Sequence, residues 1–209
     1  LERASDTTVG LSIEPLSYYL DRLPRKKNVI KKACAISDYN GTLDIFYVPA
    51  HKIKAHSLPA WVRGCNAVHS YHPTVKKLIE RKNLNPEEIF ETQQVPVKTF
   101  EKLSSEHDIS SIGILKLDTE GHDCVILNSY FTHCANHQNL LADEIVFESN
   151  LALHDTQNIE DVIALAQSYN YRILSIDECN TTLLRSNLLY WCYRFIKRKI
   201  GKLCSRFMS

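Results

Sequence analysis

Residues 112–127 read IGILKLDTEGHDCVIL, and this stretch guides the interpretation of the whole chain. Its first part is a short apolar run with β-branched residues, interrupted only by Lys116, which is typical of a buried parallel strand. The letters DTEG at 118–121 end that run, and the apolar spacing at 124–127 suits a helix packed on a sheet. Two carboxylates and a glycine therefore lie at the carboxyl end of a strand, where open α/β sheets bind ligands. The alternative is that these residues only cap the helix and turn the chain.

Strand and helix patterns alternate along the rest of the sequence. Short apolar runs predict strands at residues 8–13, 29–36, 43–48, 94–97, 144–148, 171–176 and 181–184. Helical spacing predicts helices at residues 16–23, 74–81, 99–107 and 159–169, with Thr99 as the cap of the third. This alternation predicts an α/β fold whose sheet is mostly parallel, with right-handed crossovers and helices on both faces.

One long segment breaks the alternation. Residues 49–91 are interpreted as an insertion within an α/β domain that spans residues 1–187. Long irregular segments in compact domains are usually functional or mobile, so we interpret this one as a lid over the substrate pocket. Its Trp61, Arg63 and Tyr71 would suit contact with a sugar or another polar, partly planar group.

The insertion also holds residue types that bind zinc. They are His51, His56, His69, His72 and Cys65. Their spacing matches no zinc finger, and exposed loop histidines explain them better, so we predict no metal site. The chain has seven cysteines and no CxxC pattern, which indicates reduced thiols in a cytoplasmic protein rather than a disulfide framework.

The charge distribution is uneven. The composition is ordinary for a soluble domain, and the formal net charge of +1 argues against a protein built to bind nucleic acid. Residues after Glu178 include seven Lys or Arg and no acid. A basic amphipathic helix is therefore predicted at residues 188–209. Two interpretations stay open, a peripheral contact with an anionic membrane and a helix docked on the sheet.

Three predicted strands end in carboxylates, at Glu14, Asp118 and Glu148. An acid at such a strand end is the usual means of holding a ribose diol, although Glu14 before Pro15 also suits a helix start. The six glycines form neither a G-x-G-x-x-G nor a Walker pattern, which counts against a nucleotide phosphate as ligand.

Three segments resemble the FkbM-type methyltransferases, which depend on S-adenosylmethionine. They are SIEP at 12–15, KKACAIS at 31–37 and, most specifically, LKLDTEG at 115–121 followed by VIL at 125–127. The resemblance covers about residues 9–176 and implies a Rossmann-like methyltransferase fold. The family's first strand and glycine-containing motif precede the strand that ends at Glu14, so we expect them upstream of residue 1.

The resemblance also implies a cofactor and the residues that bind it. Glu14, followed by Pro15, is assigned to the ribose hydroxyls of S-adenosylmethionine, and Ser37 and Asp38 are placed near the adenine. Asp118 and Glu120 are placed at the methionine end of the cofactor or at the substrate.

Methyl transfer to a hydroxyl of a small molecule or glycan is the implied reaction. It requires an aligned nucleophile and a base, for which Asp118, Glu120 and His122 are the candidates. Asp123 stands where the family usually has Glu. Two alternatives stay open: a metal-dependent hydrolase using Asp118, Glu120 and Glu148, and a non-catalytic binding module.

Overall fold

The computed structural model describes residues 7–68 and 70–186, so the predicted helix at 188–209 lies outside the described residues. The strands in this part are Gly10–Ile13 (β1), Val29–Lys32 (β2), Ala35–Ile36 (β3), Gly41–Tyr47 (β4), Ala67–Val68 (β5), Glu91–Lys98 (β6), Ile114–Lys116 (β7), Glu144–Glu148 (β8), Tyr171–Ile176 (β9) and Asn180–Arg185 (β10). The helices are Ser17–Leu20 (α1), Ala50–Ala55 (α2), Pro73–Arg81 (α3), Pro86–Ile89 (α4), Phe100–Glu106 (α5), Asp123–Cys134 (α6) and Thr156–Ser168 (α7). Short 3₁₀ helices lie at Ala60–Arg63 and Gln138–Leu140.

The strands form three sheets, with orders β1-β2, β7-β8-β10-β9 and β3-β6-β4-β5. The pairs β1–β2, β3–β6 and β7–β8 are parallel. The pairs β8–β10, β9–β10, β4–β5 and β4–β6 are antiparallel. The α/β class is thus confirmed, but the prediction of a mostly parallel sheet is wrong. One reason is local, because the tight turn between β9 and β10 can join only antiparallel neighbours.

Strand β7, which lies within residues 112–127, pairs in parallel with β8. Ile114, Leu115 and Lys116 pair with Glu144, Ile145 and Val146, so the two strands end at the same edge. Since β7 is the outer strand of its sheet, the expectation of a buried strand is wrong for Ile114, which is 66% exposed. Leu117 is buried, as expected.

Helices α6 and α7 pack against this sheet around the largest apolar cluster. Ile126, Leu127, Tyr130 and Phe131 of α6 are fully buried there. Val125 lies on the opposite, exposed side of the helix, as helical spacing requires. The packing fixes the N-terminus of α6 beside the ends of β7 and β8.

The segment that was predicted as an irregular insertion has three helices rather than one. Helices α2, α3 and α4 lie within it, and β5 pairs with β4. The segment has its own apolar cluster, in which Val48, Val62, Val75 and Ile79 are fully buried. Tyr71 stacks on Phe90 in the same cluster, with ring centroids 4.4 Å apart.

No helix within residues 7–68 and 70–186 combines the length and the apolar character needed to cross a bilayer. The cysteines of this part of the chain are all free thiols, and Cys34, Cys124 and Cys134 are buried among them.

Candidate functional site

The loop between β7 and α6 has an unusual backbone. Glu120 has a φ of 51° and Gly121 a φ of 106°, so two successive residues lie in the left-handed region. A Cβ atom at Gly121 would lie 3.2 Å from the carbonyl oxygen of Leu153, which makes glycine the fitting residue there. The loop thereby turns sharply and brings its side chains to the carboxyl ends of β7 and β8.

Asp123 ties this loop to the sheet. Its side chain is fully buried, and Oδ2 accepts hydrogen bonds from the backbone N–H and the hydroxyl of Thr119. Its Oδ1 accepts the backbone N–H of Glu148 at 3.1 Å. In the sequence Asp123 stands out only as a departure from the family pattern, although an acid in the first turn of a helix was a signal of its role.

Glu148, the last residue of β8, is buried beside this loop. Burial raises its pKa to about 8, and the neighbouring charges of Glu120, Asp123 and Asp118 act in the same direction. A hydrogen bond from the Glu120 backbone opposes that shift. Within the described residues, Oε2 of Glu148 has no hydrogen-bond partner.

His154 completes a buried group with Asp123 and Glu148. Its Nδ1 lies 3.6 Å from the sulfur of Cys124, and its Nε2 lies 4.0 Å from Oδ2 of Asp123. Burial lowers the pKa of His154, and the charge of Asp123 partly offsets the effect. No sequence pattern indicated His154, because it lies in a turn far from the motif.

Glu120 reaches from the loop to the insertion. Its Oε2 lies 3.0 Å from Nε2 of His72, whose Nδ1 accepts the backbone N–H of Val75 at 3.4 Å. The proton of the neutral ring therefore lies on Nε2, which donates to Glu120. The expectation of exposed loop histidines is wrong for His72, which is 3% exposed. The sulfur of Cys65 lies within 4.8 Å of a ring nitrogen of His72 and of a carboxylate oxygen of Glu120.

His122 joins the loop to the end of β3. Its Nε2 lies 2.9 Å from the hydroxyl of Ser37, which in turn donates to Oδ1 of Asp38 at 3.0 Å. Since a hydroxyl has one hydrogen, the imidazole N–H donates to Ser37. Ser37 and His122 are buried, whereas Asp38 is exposed, so the three side chains connect the interior with the surface.

The remaining predicted residues make contacts of their own. Asp118 is 59% exposed and forms an ion pair of 2.6 Å with Lys116. Glu14 follows β1, and its Oε1 accepts the backbone N–H of Leu16 at 3.0 Å, across the partly buried Pro15. Burial raises the pKa of Glu14, and the Leu16 hydrogen bond opposes the shift.

A cavity of about 400 Å³ lies next to the Glu14 turn. Its walls include Leu16, Tyr18, Tyr19, Tyr47, Pro49, Ala50, His51, Glu91 and Gln93. Burial raises the pKa of Tyr19 to about 12, and the charges of Arg63 and Glu14 also reach its hydroxyl. The cavity thus combines aromatic walls with hydroxyl and carboxylate groups.

An α/β chain with acids at its strand ends and a buried Ser–His pair is of the kind that binds a small ligand at a sheet edge. The chain belongs to the FkbM methyltransferase family, since the model of the methyltransferase FkbM domain matches residues 2–173. This confirms the resemblance drawn from the sequence, and the family membership indicates a methyltransferase. Searches of curated proteins and of solved structures gave no match.

Proposed function

We propose that this chain binds S-adenosylmethionine and catalyses methyl transfer to a hydroxyl of a small molecule or glycan. The family match over residues 2–173 is the observation that carries the proposal. When bound, this cofactor supplies a methyl group that is electrophilic because its carbon is attached to a sulfonium. The protein must then bind the cofactor, align the acceptor and remove one proton.

Glu14 is the residue proposed to hold the cofactor ribose. The Leu16 N–H fixes Oε1, and a carboxylate has further lone pairs with which to accept two hydroxyl hydrogen bonds. Asp38 is exposed, so its carboxylate can accept from an adenine amino group while Ser37 holds the other side. These acceptor groups suit the hydroxyl and amino groups of a nucleoside.

His122 is the proposed general base. With its proton on Nε2 toward Ser37, the neutral ring has its basic lone pair on Nδ1. A proton taken up there makes an imidazolium, which the Ser37 hydroxyl and the Asp38 carboxylate stabilise through the hydrogen-bond chain. Glu120 is held by His72 and Asp118 is exposed beside Lys116, so they fit the positioning of the acceptor or the cofactor better.

The cavity beside Glu14 is the proposed acceptor pocket. Its tyrosine rings offer flat apolar surface, and its Tyr47 hydroxyl and Glu91 carboxylate, 3.3 Å apart, offer hydrogen bonds. Sugars are commonly recognised by this combination, because one face of the ring is apolar and the rim is polar. Trp61 is 49% exposed, which leaves its ring available for a similar contact from the insertion.

Calorimetric titration of the full chain with S-adenosylmethionine and S-adenosylhomocysteine tests the proposal. We expect saturable binding of both compounds, weakened at least tenfold in Glu14→Gln. Glu178→Gln is the matched control, because Glu178 is an exposed residue of the β9–β10 turn.

Two results would contradict the proposal. Absence of binding to either compound by the folded chain would favour the non-catalytic binding module. Equal weakening in Glu14→Gln and Glu178→Gln would remove Glu14 from the cofactor site. A separate assay of methyl transfer with His122→Gln should show a loss of turnover with little change in cofactor affinity.

A further inference from the structure

A buried group of three side chains lies outside the proposed methyl-transfer chemistry. It consists of Asp123 at the start of α6, Glu148 at the end of β8 and His154 in the turn before α7. Their exposed fractions are 0%, 9% and 8%, and their ligand-type atoms all lie within 4.8 Å of one another. Three separate segments therefore direct acidic and imidazole groups to one buried point.

Two polar atoms of this group lack a hydrogen-bond partner. Neither Oε2 of Glu148 nor Nε2 of His154 has a partner among residues 7–68 and 70–186. Buried polar groups are nearly always paired, so two unpaired atoms that converge on one point indicate a missing partner. A cation would contact both atoms at once and would offset the charges of the neighbouring carboxylates.

We propose that Asp123, Glu148 and His154 bind a divalent transition-metal ion, with Zn²⁺ as the best fit. An imidazole nitrogen with carboxylate oxygens is a typical zinc ligand set, whereas Mg²⁺ and Ca²⁺ prefer oxygen ligands alone. The ion would join the loop after β7, the end of β8 and the turn before α7. Its role is to hold the edge of the sheet at which the proposed reaction takes place.

The separations of the ligand atoms are somewhat larger than those around a bound ion. Nε2 of His154 lies 4.0 Å from Oδ2 of Asp123. Ligand atoms around a tetrahedral zinc ion with bonds of about 2.0–2.1 Å are separated by roughly 3.3 Å, so the three side chains, whose ligand atoms all lie within 4.8 Å of one another, must draw closer to bind the ion. Asp123 is already oriented by Thr119, and the sulfur of Cys124 lies 3.6 Å from the second ring nitrogen of His154, so the imidazole is held from its other side.

A second group, Cys65 with His72 and Glu120, has ligand types at similar separations. Both ring nitrogens of His72 are engaged, one with Val75 and one with Glu120. The sulfur of Cys65 contacts the carbonyl oxygen of Trp61. Since these contacts leave this group without the unpaired atoms of the first, we place the ion at Asp123, Glu148 and His154.

Titration of the metal-stripped full chain with Co²⁺, followed by competition with Zn²⁺, tests this assignment. We expect one bound Co²⁺ with visible ligand-field bands and no thiolate-to-cobalt charge-transfer band. Glu148→Gln, which keeps the shape of the side chain, and His154→Gln should each lower the affinity at least tenfold. Cys65→Ser is the matched control and should leave affinity and spectrum unchanged.

Three results would overturn the proposal. They are no stoichiometric Co²⁺ or Zn²⁺ binding, a thiolate band that Cys65→Ser abolishes, and unchanged affinity in Glu148→Gln. The first would leave a buried water as the partner of the two atoms. Circular dichroism establishes that each variant is folded, and if His154→Gln is not, Glu148→Gln decides alone. Zn²⁺ should also raise the unfolding temperature of the parent chain but not that of Glu148→Gln.

Discussion

Single side chains at the ends of β1, β7 and β8 have environments that differ sharply although all are acids. Asp118 faces solvent beside Lys116, Asp123 is buried and fully hydrogen-bonded, and Glu148 is buried with one unpaired oxygen. Burial without a partner disfavours the charged form of a carboxyl group, which is the situation of Glu148. Of these three acids, Glu148 has a raised pKa, and burial is the main cause.

Glu14 provides a prediction that links pH to ligand binding. Its pKa is raised by burial, and ribose hydroxyls donate best to the ionised form. We therefore expect the affinity for S-adenosylhomocysteine to increase as pH rises from about 5 to about 8, with a flat profile in Glu14→Gln. Titration calorimetry across this range is the measurement. An identical pH profile in both proteins would argue against ionisation of Glu14 as the cause.

The same raised pKa affects the stability of the ligand-free chain. The fold favours the neutral carboxyl of Glu14. Its contribution to the free energy of unfolding is therefore fully present below the pKa of the unfolded chain, and is lost as pH rises through the pKa of the folded chain. The unfolding free energy of the parent chain should therefore decline over that range relative to Glu14→Gln. Urea denaturation at several pH values gives the comparison.

Gly121 gives a prediction about backbone strain. Gly121→Ala places a Cβ at a positive φ and 3.2 Å from the carbonyl oxygen of Leu153, and should reduce the unfolding free energy by about 1–3 kcal/mol. Gly113→Ala is the control, since a Cβ there would meet no atom within 4 Å. Chemical denaturation measures both. Equal losses in the two variants would mean that the close approach to Leu153 has no energetic effect.

Among the elements, α6 has the closest link between packing and site geometry. Its first turn holds the carboxylate of Asp123, and its last turns are buried against the sheet. Tyr130 anchors the helix, because its hydroxyl donates to the carbonyl of Leu140 at 2.9 Å and accepts the N–H of Ala142 at 2.7 Å. One side chain thus satisfies two buried backbone groups in the segment that leads into β8.

Tyr130→Phe should therefore be strongly destabilising for a change of one atom. It leaves a buried carbonyl and a buried N–H without partners, and we expect a loss of about 1–3 kcal/mol in unfolding free energy. Tyr169→Phe is the matched control, since that hydroxyl makes a single bond of 3.1 Å to the carbonyl of Phe131. Thermal and urea unfolding measure both variants. A larger loss in Tyr169→Phe would contradict the role assigned to Tyr130.

The elements could be predicted from the sequence better than their pairing. Thr99 was expected to cap a helix, and its hydroxyl does accept the N–H of Lys102. Such signals are local, because they depend on residues within one turn. The exposed edge position of Ile114 depends on which strands flank β7, and no local pattern encodes that.

At the scale of the molecule, the insertion is a small body with its own apolar cluster that contacts the site through His72. The imidazole accepts the N–H of Val75 at the start of α3 and donates to Glu120 in the loop after β7. The contact makes the position of the insertion depend on the same loop that Asp123 holds. This supports the interpretation of residues 49–91 as a cover of the substrate pocket, which stays a prediction.

His72→Ala should loosen the insertion selectively. We expect faster amide hydrogen exchange in residues 50–90, with little change in α6 and α7, because the variant removes a helix cap and a tether while the main core is untouched. His51→Ala, at an exposed position, is the control. Hydrogen exchange with mass spectrometry resolves these segments. A uniform increase over the whole chain would show that His72 stabilises the fold globally instead.

The site could be predicted only in part, for a reason of chain distance. The motif placed Asp118, Glu120 and His122 at one strand end, because they are sequence neighbours. Their partners are remote: Ser37 is 85 residues from His122, and His72 is 48 residues from Glu120. No periodicity links such positions, so these contacts became visible only in the folded chain.

The left-handed backbone of Glu120 lowers the stability of the fold, whereas its carboxylate makes a contact within the site. A residue with a side chain pays roughly 1 kcal/mol for this conformation, which glycine adopts freely and asparagine more readily. A mutant library sorted only for survival at high temperature would therefore retain Glu120 only if its hydrogen bond to His72 contributes more to stability than this backbone strain costs. A library sorted for turnover would retain it if the contact serves catalysis. Comparing the residues found at position 120 after the two selections would separate the contribution of the loop to thermal stability from its contribution to catalysis.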